Sequence, residues 1–581
     1  MAAFKGASAG MPADGRMMPD ARTFNADKGI SLEQFLYYAK EQRRAERDGL
    51  DYRNTEATLA DFAIGARPVE HPHHEHASAE KDDALEKKGS DSDGGANVVE
   101  ARPTISADQL ERINARRALR VASWGGAFFL ITTDILGPFN APYAVQQVGL
   151  VPGALLYFFM GVAASFTGYC IQILFCSLDS ERLPVVCYAT IADRIFGRWA
   201  YWGVSLFQGI YLVLNVGVIC LSNGQGLEQI IQGPNGTGNL CFVVCILIMA
   251  LIGMMLAQIR GLRNYSYLSS TAVFQNIIIC IIVIAFAARS NPNYAAANAA
   301  YGIDAGPVVT ELFAVNPIAT QVNGVMNMVF AYGGAQIFPE ILAEMRRPMD
   351  FWKGLAIAQL LFICVYMVFG EVVYSLQGQF TLALVYQGIG PYSGQTVCNV
   401  FALITGLLAA GLYGNIGLKV VYINVVEGLF KGPPLMSKRG RLLWSPLAVL
   451  YWSIAFILGT GIPQVGAFTG LIGAVAIVPL TYAFPLTLVC ALFVHKSAMR
   501  GDGEFIPGKG PQRIDSWKQA SRWKRGFMGG NPMEVVFKFA LLILALAAYA
   551  LTGLGIYGSS LALAGAFQAS SATSFGCSPP V

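Results

Sequence analysis

Charge is what this sequence has least of. Lysine, arginine, aspartate and glutamate make up 13% of its 581 residues, against roughly 25% in an ordinary soluble domain. Histidine is scarcer still: there are five, and four of them (His71, His73, His74, His76) share one short run. That run reads as part of a polar tract. No Cys-x-x-Cys pair is present, so no metal or redox centre is expected. The apolar segments hold no nucleophile–base pair, which argues against an embedded enzyme. They also lack rings of charge and a filter motif, which a channel would need. A net charge of +4 gives no reason to expect nucleic acid as a partner. The amino terminus is polar and lacks a leader pattern, so the first span is expected to direct insertion itself.

Hydrocarbon fills the space that charge leaves. The hydrophobic share is 54%. Apolar runs of about 20 residues recur from Val121 onward, each long enough to cross a hydrocarbon core of ~30 Å. In lipid the backbone must satisfy itself, so a polytopic all-α membrane protein follows. Eleven spans are expected: Val121–Val148, Val151–Phe175, Ala200–Leu221, Leu240–Leu256, Tyr265–Ala288, Thr320–Glu340, Gly354–Leu376, Thr396–Val421, Pro446–Gly461, Val465–Val494 and Val535–Tyr557. Most of the eleven cysteines, such as Cys170, Cys220, Cys280, Cys364 and Cys490, lie in these runs and should behave as small hydrophobes.

This divides the chain into residues 1–119, a cytosolic tail; 120–557, the membrane domain; and 558–581, a short outer tail. The first tail is too polar to build a core and is expected to be mostly disordered. One helix is expected within it. Ser31 and Gln34 have capping-box spacing, and Leu32, Phe35, Leu36 and Ala39 recur at helical intervals. Such a helix could be solvated, or could dock on the inner face or on a cytosolic regulator. Asp108–Arg120 reads as a short basic helix. Basic residues alternate in favour of one side: Arg182, Arg194 and Arg198, then Arg260 and Arg263, then Arg346, Arg347 and Lys353, then Lys431, Lys438, Arg439 and Arg441, and the cluster from Lys496 to Arg525. The opposite side has essentially Arg289 alone. The positive-inside rule then puts the amino terminus inside and, with eleven spans, the carboxyl terminus outside. Asn235-Gly236-Thr237 is a sequon in an outer loop and can be glycosylated; Asn264-Tyr265-Ser266 falls inside and should stay bare.

Two spans cannot be plain helices. Ile131–Pro142 reads ITTDILGPFNAP, and Gly137-Pro138 removes a donor and crowds the preceding turn. Gln321–Ile341 contains Gly333-Gly334, where a helix can open. Breaks at matching positions five spans apart point to an inverted-repeat transporter. Half-helix ends expose N–H groups suited to a carboxylate and carbonyls suited to an ammonium or cation, so a zwitterionic amino acid is the natural occupant. The expected contact residues are Thr133, Asp134, Ile135, Leu136, Gly137, Pro138 and Phe139 at the first break. At the second they are Asn327, Phe330, Ala331, Tyr332, Gly333 and Gly334. Asn323 and Asn327 share a face. Tyr211 and Asn215, with Gln208 on the third span, are a cavity wall or an interhelical hydrogen-bonding seam. The eighth span offers Asn399, Thr405, Tyr413 and Asn415 in the same two senses. An intramembrane carboxylate marks a functional site: Asp134 is the first candidate for proton coupling and Glu371 the second. Lys419 is expected to snorkel.

The runs ITTDILGPFNAPYAVQQVG (Ile131 to Gly149) and FAYGGAQIFPEILAEMRRPMDFWKG (Phe330 to Gly354) resemble the amino acid/auxin permease family. With SLEQFLYYAKEQRRAE (Ser31 to Glu46), the chain is most similar to the fungal neutral amino acid permeases. The resemblance covers about Ala115 to Tyr557; Asp134 is not general to the family. It implies a five-plus-five inverted repeat, the LeuT/APC-like fold with helices 1 and 6 broken, in the plasma membrane. It also implies proton-driven uptake of neutral amino acids without a cofactor; sodium is the alternative coupling ion. A vacuolar transporter and an amino acid sensor that does not sustain transport are the competing readings.

Overall fold

A computed structural model describes residues 30–47, 120, 122–135, 137–234, 240–258, 263–433, 435, 437–462, 464–507, 510–568 and 574–578, with the side chains of 133–135, 263–270 and 438 left aside. The rest of the tail before residue 120 lies outside these residues, and with it the histidine run and nearly all of the basic helix expected at 108–120. Leu136, Asn235 and Arg260 also lie outside them.

The described residues are helical throughout, with only isolated bridges between extended segments. Helix α1 (Leu32–Arg47) lies across one end of the bundle. The first interrupted rod consists of α2 (Trp124–Ile135) and α3 (Ala141–Val148), separated by a 3-10 turn at Pro138–Asn140. Then come α4 (Leu150–Leu178), the short α5 (Tyr188–Phe196), α6 (Arg198–Gln232), α7 (Phe242–Leu256), α8 (Arg263–Ala287) and the short α9 (Tyr294–Tyr301). The second interrupted rod is α10 (Ile318–Ala331) and α11 (Phe338–Glu344), with a 3-10 turn at Ala335–Ile337. The chain continues as α12 (Phe351–Gln377), α13 (Tyr392–Val421), α14 (Lys438–Gly461), α15 (Val465–Ile472), α16 (Phe484–Met499), α17 (Ala520–Met528) and α18 (Pro532–Gln568). A π-helix at Tyr422–Leu429 prolongs α13, and another at Gly473–Ala483 welds α15 to α16.

Seven of the described helical stretches are long and apolar enough to cross a membrane, and two shorter apolar helices accompany them, Phe242–Leu256 and Thr271–Ala287. Their outer faces are apolar at helical spacing: Leu155, Phe159 and Val162 on α4, and Val536, Ile543 and Leu546 on α18, are exposed. Such rows belong against lipid. Helix α18 runs on past Tyr557, where hydropathy alone ends the span. Gly558, Ser559 and Ser560 lower the local hydropathy without stopping the helix.

Inside the bundle, close approach is set by small residues. The Trp452 indole of α14 is fully buried, and a Cβ on Gly253 of α7 or on Gly414 of α13 would collide with it. At the turn between α3 and α4, Gly149 has φ +97, a conformation that favours glycine. The loop at 311–314 lies directly on it: Leu150 N–H donates to the Glu311 carbonyl at 3.1 Å and Ala314 N–H to that of Val148 at 3.1 Å.

The two ends of the bundle differ in chemistry. One is basic and carries α1, whose Leu32, Phe35 and Ala39 are buried, so the amphipathic helix is docked and not solvated. At this end the Asp179 carboxylate, at the foot of α4, takes hydrogen bonds from Arg43 (3.1 Å), Arg120 (2.9 Å) and the Val185 amide (3.1 Å). Removing it would take the partner carboxylate from the Arg120 guanidinium in a nearly dry site, at a cost of about 3–5 kcal/mol, and would leave Arg43 to its other partner, Glu46, at 2.7 Å.

The other end carries a covalent tie. Cys241, just before α7, is disulfide-bonded to Cys577, 336 residues away. Phe242 N–H donates to the Cys577 carbonyl, and Phe575 N–H donates to the Thr460 carbonyl, each at 3.1 Å. The last segment is thereby strapped across the ends of α7 and α14. An impermeant maleimide is expected to tag Cys577 only after reductant; mass spectrometry of the tagged peptide checks this, and tagging without reductant would contradict the pairing.

Candidate functional site

The two breaks face each other. Tyr332 caps α10 and is buried; its hydroxyl donates to the Tyr157 carbonyl of α4 at 2.8 Å. Gly137 N–H, freed where α2 ends, donates to the Tyr366 hydroxyl of α12 at 3.2 Å. The Tyr157 and Tyr366 rings stack with centroids 6.0 Å apart, and Tyr332 meets Tyr366 edge-on at 5.5 Å. Three tyrosines from three helices therefore line the interrupted backbone, supplying polar hydroxyls beside apolar ring faces. Gly333 and Gly334 carry the chain from Tyr332 to the 3-10 turn.

A carboxamide network lies one turn toward the disulfide end. Asn140 Nδ2, from the turn before α3, donates to Asn327 Oδ1 of α10 at 2.5 Å and to Thr469 Oγ1 of α15 at 3.2 Å. The Thr469 hydroxyl also donates to Asn327 Oδ1, at 2.5 Å. Asn327 Nδ2 in turn donates to the carbonyls of Asn323 (2.8 Å) and Gly466 (3.0 Å). Asn327 is thus the hub joining both interrupted rods to α15. The acceptor oxygens of Asn140 and Asn323 remain buried without partners.

Toward the basic end, Gln336 of the 3-10 turn is fully buried. Both its side-chain polar atoms lack a partner, although its carbonyl accepts from Gln208 of α6 at 3.3 Å. A buried amide left unsatisfied costs about 1–3 kcal/mol per group, so such a residue is a candidate to meet a ligand. At the basic end itself the rods are stitched together. Ala122 N–H donates to the Glu344 carbonyl at 3.0 Å, and Arg346 N–H to that of Ala122 at 2.9 Å.

The other expected contact residues fall as follows. Pro138 is buried, and Phe139 is edge-on to Tyr386 at 5.2 Å. Phe330 and Ala331 form the last turn of α10 and are partly buried. The helix α2 includes Thr133, Asp134 and Ile135 in its backbone, but their side chains, like all of Leu136, lie outside the described residues. Asn215 Nδ2 donates to the Tyr211 hydroxyl at 3.4 Å, and the Tyr211 ring is edge-on to Tyr413 of α13 at 6.3 Å; this puts both on the seam of α6 with α13. Glu371 of α12 sits against Gly153 of α4, its Oε1 buried and without a hydrogen bond. Lys419 is buried, not reaching the surface as snorkelling would require. Tyr157, Tyr366, Asn140, Thr469 and Gln336 join the site although no pattern in the sequence marks them.

The family described as "Transmembrane amino acid transporter protein" matches residues 120–503, well over half of the chain. The chain belongs to this family. Among curated proteins it is similar to the "N amino acid transport system protein" of Neurospora crassa, 24% identical over 383 residues, covering 65% of this chain and 77% of the relative. A "Transmembrane transporter" of Fusarium pseudograminearum is 22% identical over 375 residues, covering 64% and 75%. One of the same description from Gibberella moniliformis is 22% identical over 378 residues, covering 64% and 75%. As a member of the transmembrane amino acid transporter family, the protein is a multi-pass membrane protein and a transporter, not an enzyme.

Proposed function

We propose that this transporter imports neutral amino acids across the plasma membrane by alternating access, driven by protons. The observation that carries the reading is the pair of interrupted rods, with their breaks side by side and lined by Tyr157, Tyr332 and Tyr366. The seven long helices, the two shorter ones and the two interrupted rods accord with eleven crossings. The interrupted rods then open each of two five-helix repeats, an arrangement in which the substrate sits near the bilayer midplane. Backbone amides at interrupted helix ends suit the substrate carboxylate and backbone carbonyls its ammonium. Tyrosine faces suit an uncharged side chain, and Gln336 offers a polar contact for it. The name of the Neurospora crassa relative accords with an amino acid substrate. The disulfide suits an extracytosolic setting for its end of the bundle, and a cytosolic basic end accords with the positive-inside rule.

Uptake into proteoliposomes tests this. A panel of neutral amino acids should accumulate under an imposed inward proton gradient and fail to accumulate under a sodium gradient alone. Binding without accumulation would favour a sensor, and accumulation on sodium would replace the proton. Glu371→Gln is expected to slow proton-driven uptake severalfold while leaving exchange at symmetric pH intact; equal losses in both assays would mean that Glu371 only packs against Gly153.

A further inference from the structure

We infer that α1 is a latch: docked across the basic end, it keeps the ends of α2 and α11 closed on each other, and its release opens that end of the transport path. The inference rests on the transport reading above. Helix α1 holds three separate stretches of chain. Arg43 Nη2 donates to Asp179 at the end of α4 at 3.1 Å. Glu46 Oε1 accepts from the Met349 amide, just before α12, at 3.3 Å. Glu33 takes a two-pronged hydrogen bond from Arg513, beyond α16, at 2.7 and 2.8 Å. No rigid-body parting of these stretches, such as alternating access needs, can occur with α1 bound to all of them.

The link to the interrupted rods runs through one carboxylate. Asp179 holds Arg43 and also Arg120. Two residues after Arg120, Ala122 pairs with the chain at 344–346, where Met345 is fully buried. Helix α1 thus braces the entry to α2 at the point where it is stitched to the end of α11.

The attachment is uneven along the helix. The helix has 16 residues, and only one face, Leu32, Phe35 and Ala39, is apolar and buried. Its far anchor, Arg513, keeps 40% of its side chain exposed, and an ion pair with an exposed member contributes little net stability. Helix α1 and Arg513 also lie outside residues 120–503 that match the family.

The test uses the full chain in nanodiscs, with Ala39→Cys or Met345→Cys introduced singly as reporters. Both positions are buried. Labelling by an impermeant maleimide is read at each residue by mass spectrometry. Glu33→Arg sets a cation against Arg513 and against Arg522, which lies 3.9 Å from Glu33. It is expected to raise labelling of both reporters about tenfold, and adding Arg513→Glu should return both toward the starting rate. Exposure of the Ala39 reporter with the Met345 reporter still protected would overturn the latch, since the helix would leave without opening the gate. Protection of both in Glu33→Arg would overturn it as well. A wild-type protein that accumulates no amino acid would sink the transport reading and leave the labelling result standing.

Discussion

Asp134→Asn is expected to reduce gradient-driven accumulation to the level of empty vesicles, in protein that still folds and still exchanges substrate. The argument is one of position and chemistry. Asp134 belongs to the last turn of α2, three residues before the freed amide of Gly137, at a depth where an ionisable group is costly unless it has a task. Asparagine keeps the shape and the hydrogen-bonding capacity but cannot gain and lose a proton in each cycle. Coupling should therefore fail while the pocket survives. Accumulation is measured under an imposed proton gradient and counterflow at equal pH inside and out. Accumulation at the wild-type level would remove Asp134 from the coupling role. Loss of counterflow together with accumulation would make it a binding or structural residue instead.

Asn327→Leu should be the most damaging change to the network that joins the two rods. It deprives Asn140 and the Thr469 hydroxyl of their shared acceptor and removes the donor that reaches the Gly466 carbonyl. Each polar group stranded in the interior costs about 1–3 kcal/mol, so uptake is expected to fall by about 10- to 100-fold at ~1.4 kcal/mol per tenfold. Thr469→Val severs fewer links between separate helices, two against three, and should give an intermediate loss. Initial uptake rates, normalised to protein in the membrane, check the order. If Thr469→Val hurts more than Asn327→Leu, the hub has been misassigned.

Much of the architecture is legible in the residues because a bilayer leaves few choices. Long apolar runs are helices, and Gly137-Pro138 and Gly333-Gly334 mark the two places where such a run is interrupted. Asn327 is legible because it stands with Asn323 on one face of an apolar segment. Its partners are not. Asn140 lies inside the quoted first-break motif but carries no pattern of its own beside Pro138, and Thr469 is an ordinary threonine in an apolar helix. Their importance arises only when three rods converge. Tyr157 and Tyr366 read as lipid- or core-facing aromatics until the fold stacks them. The Cys241–Cys577 pair is invisible because the two residues are 336 positions apart and meet only through the path of the whole chain. The docking of α1 is half legible: its apolar face is plain, but the surface that receives it is assembled from loops far apart in sequence.

The indole of Trp452, gripped between Gly253 and Gly414, has a mechanical consequence. Three helices share one incompressible wedge with no spare volume on either flank, and a close-packed interior does not deform by degrees. α7, α13 and α14 are therefore locked together as a single block, and any relative movement within the bundle has to take place outside it.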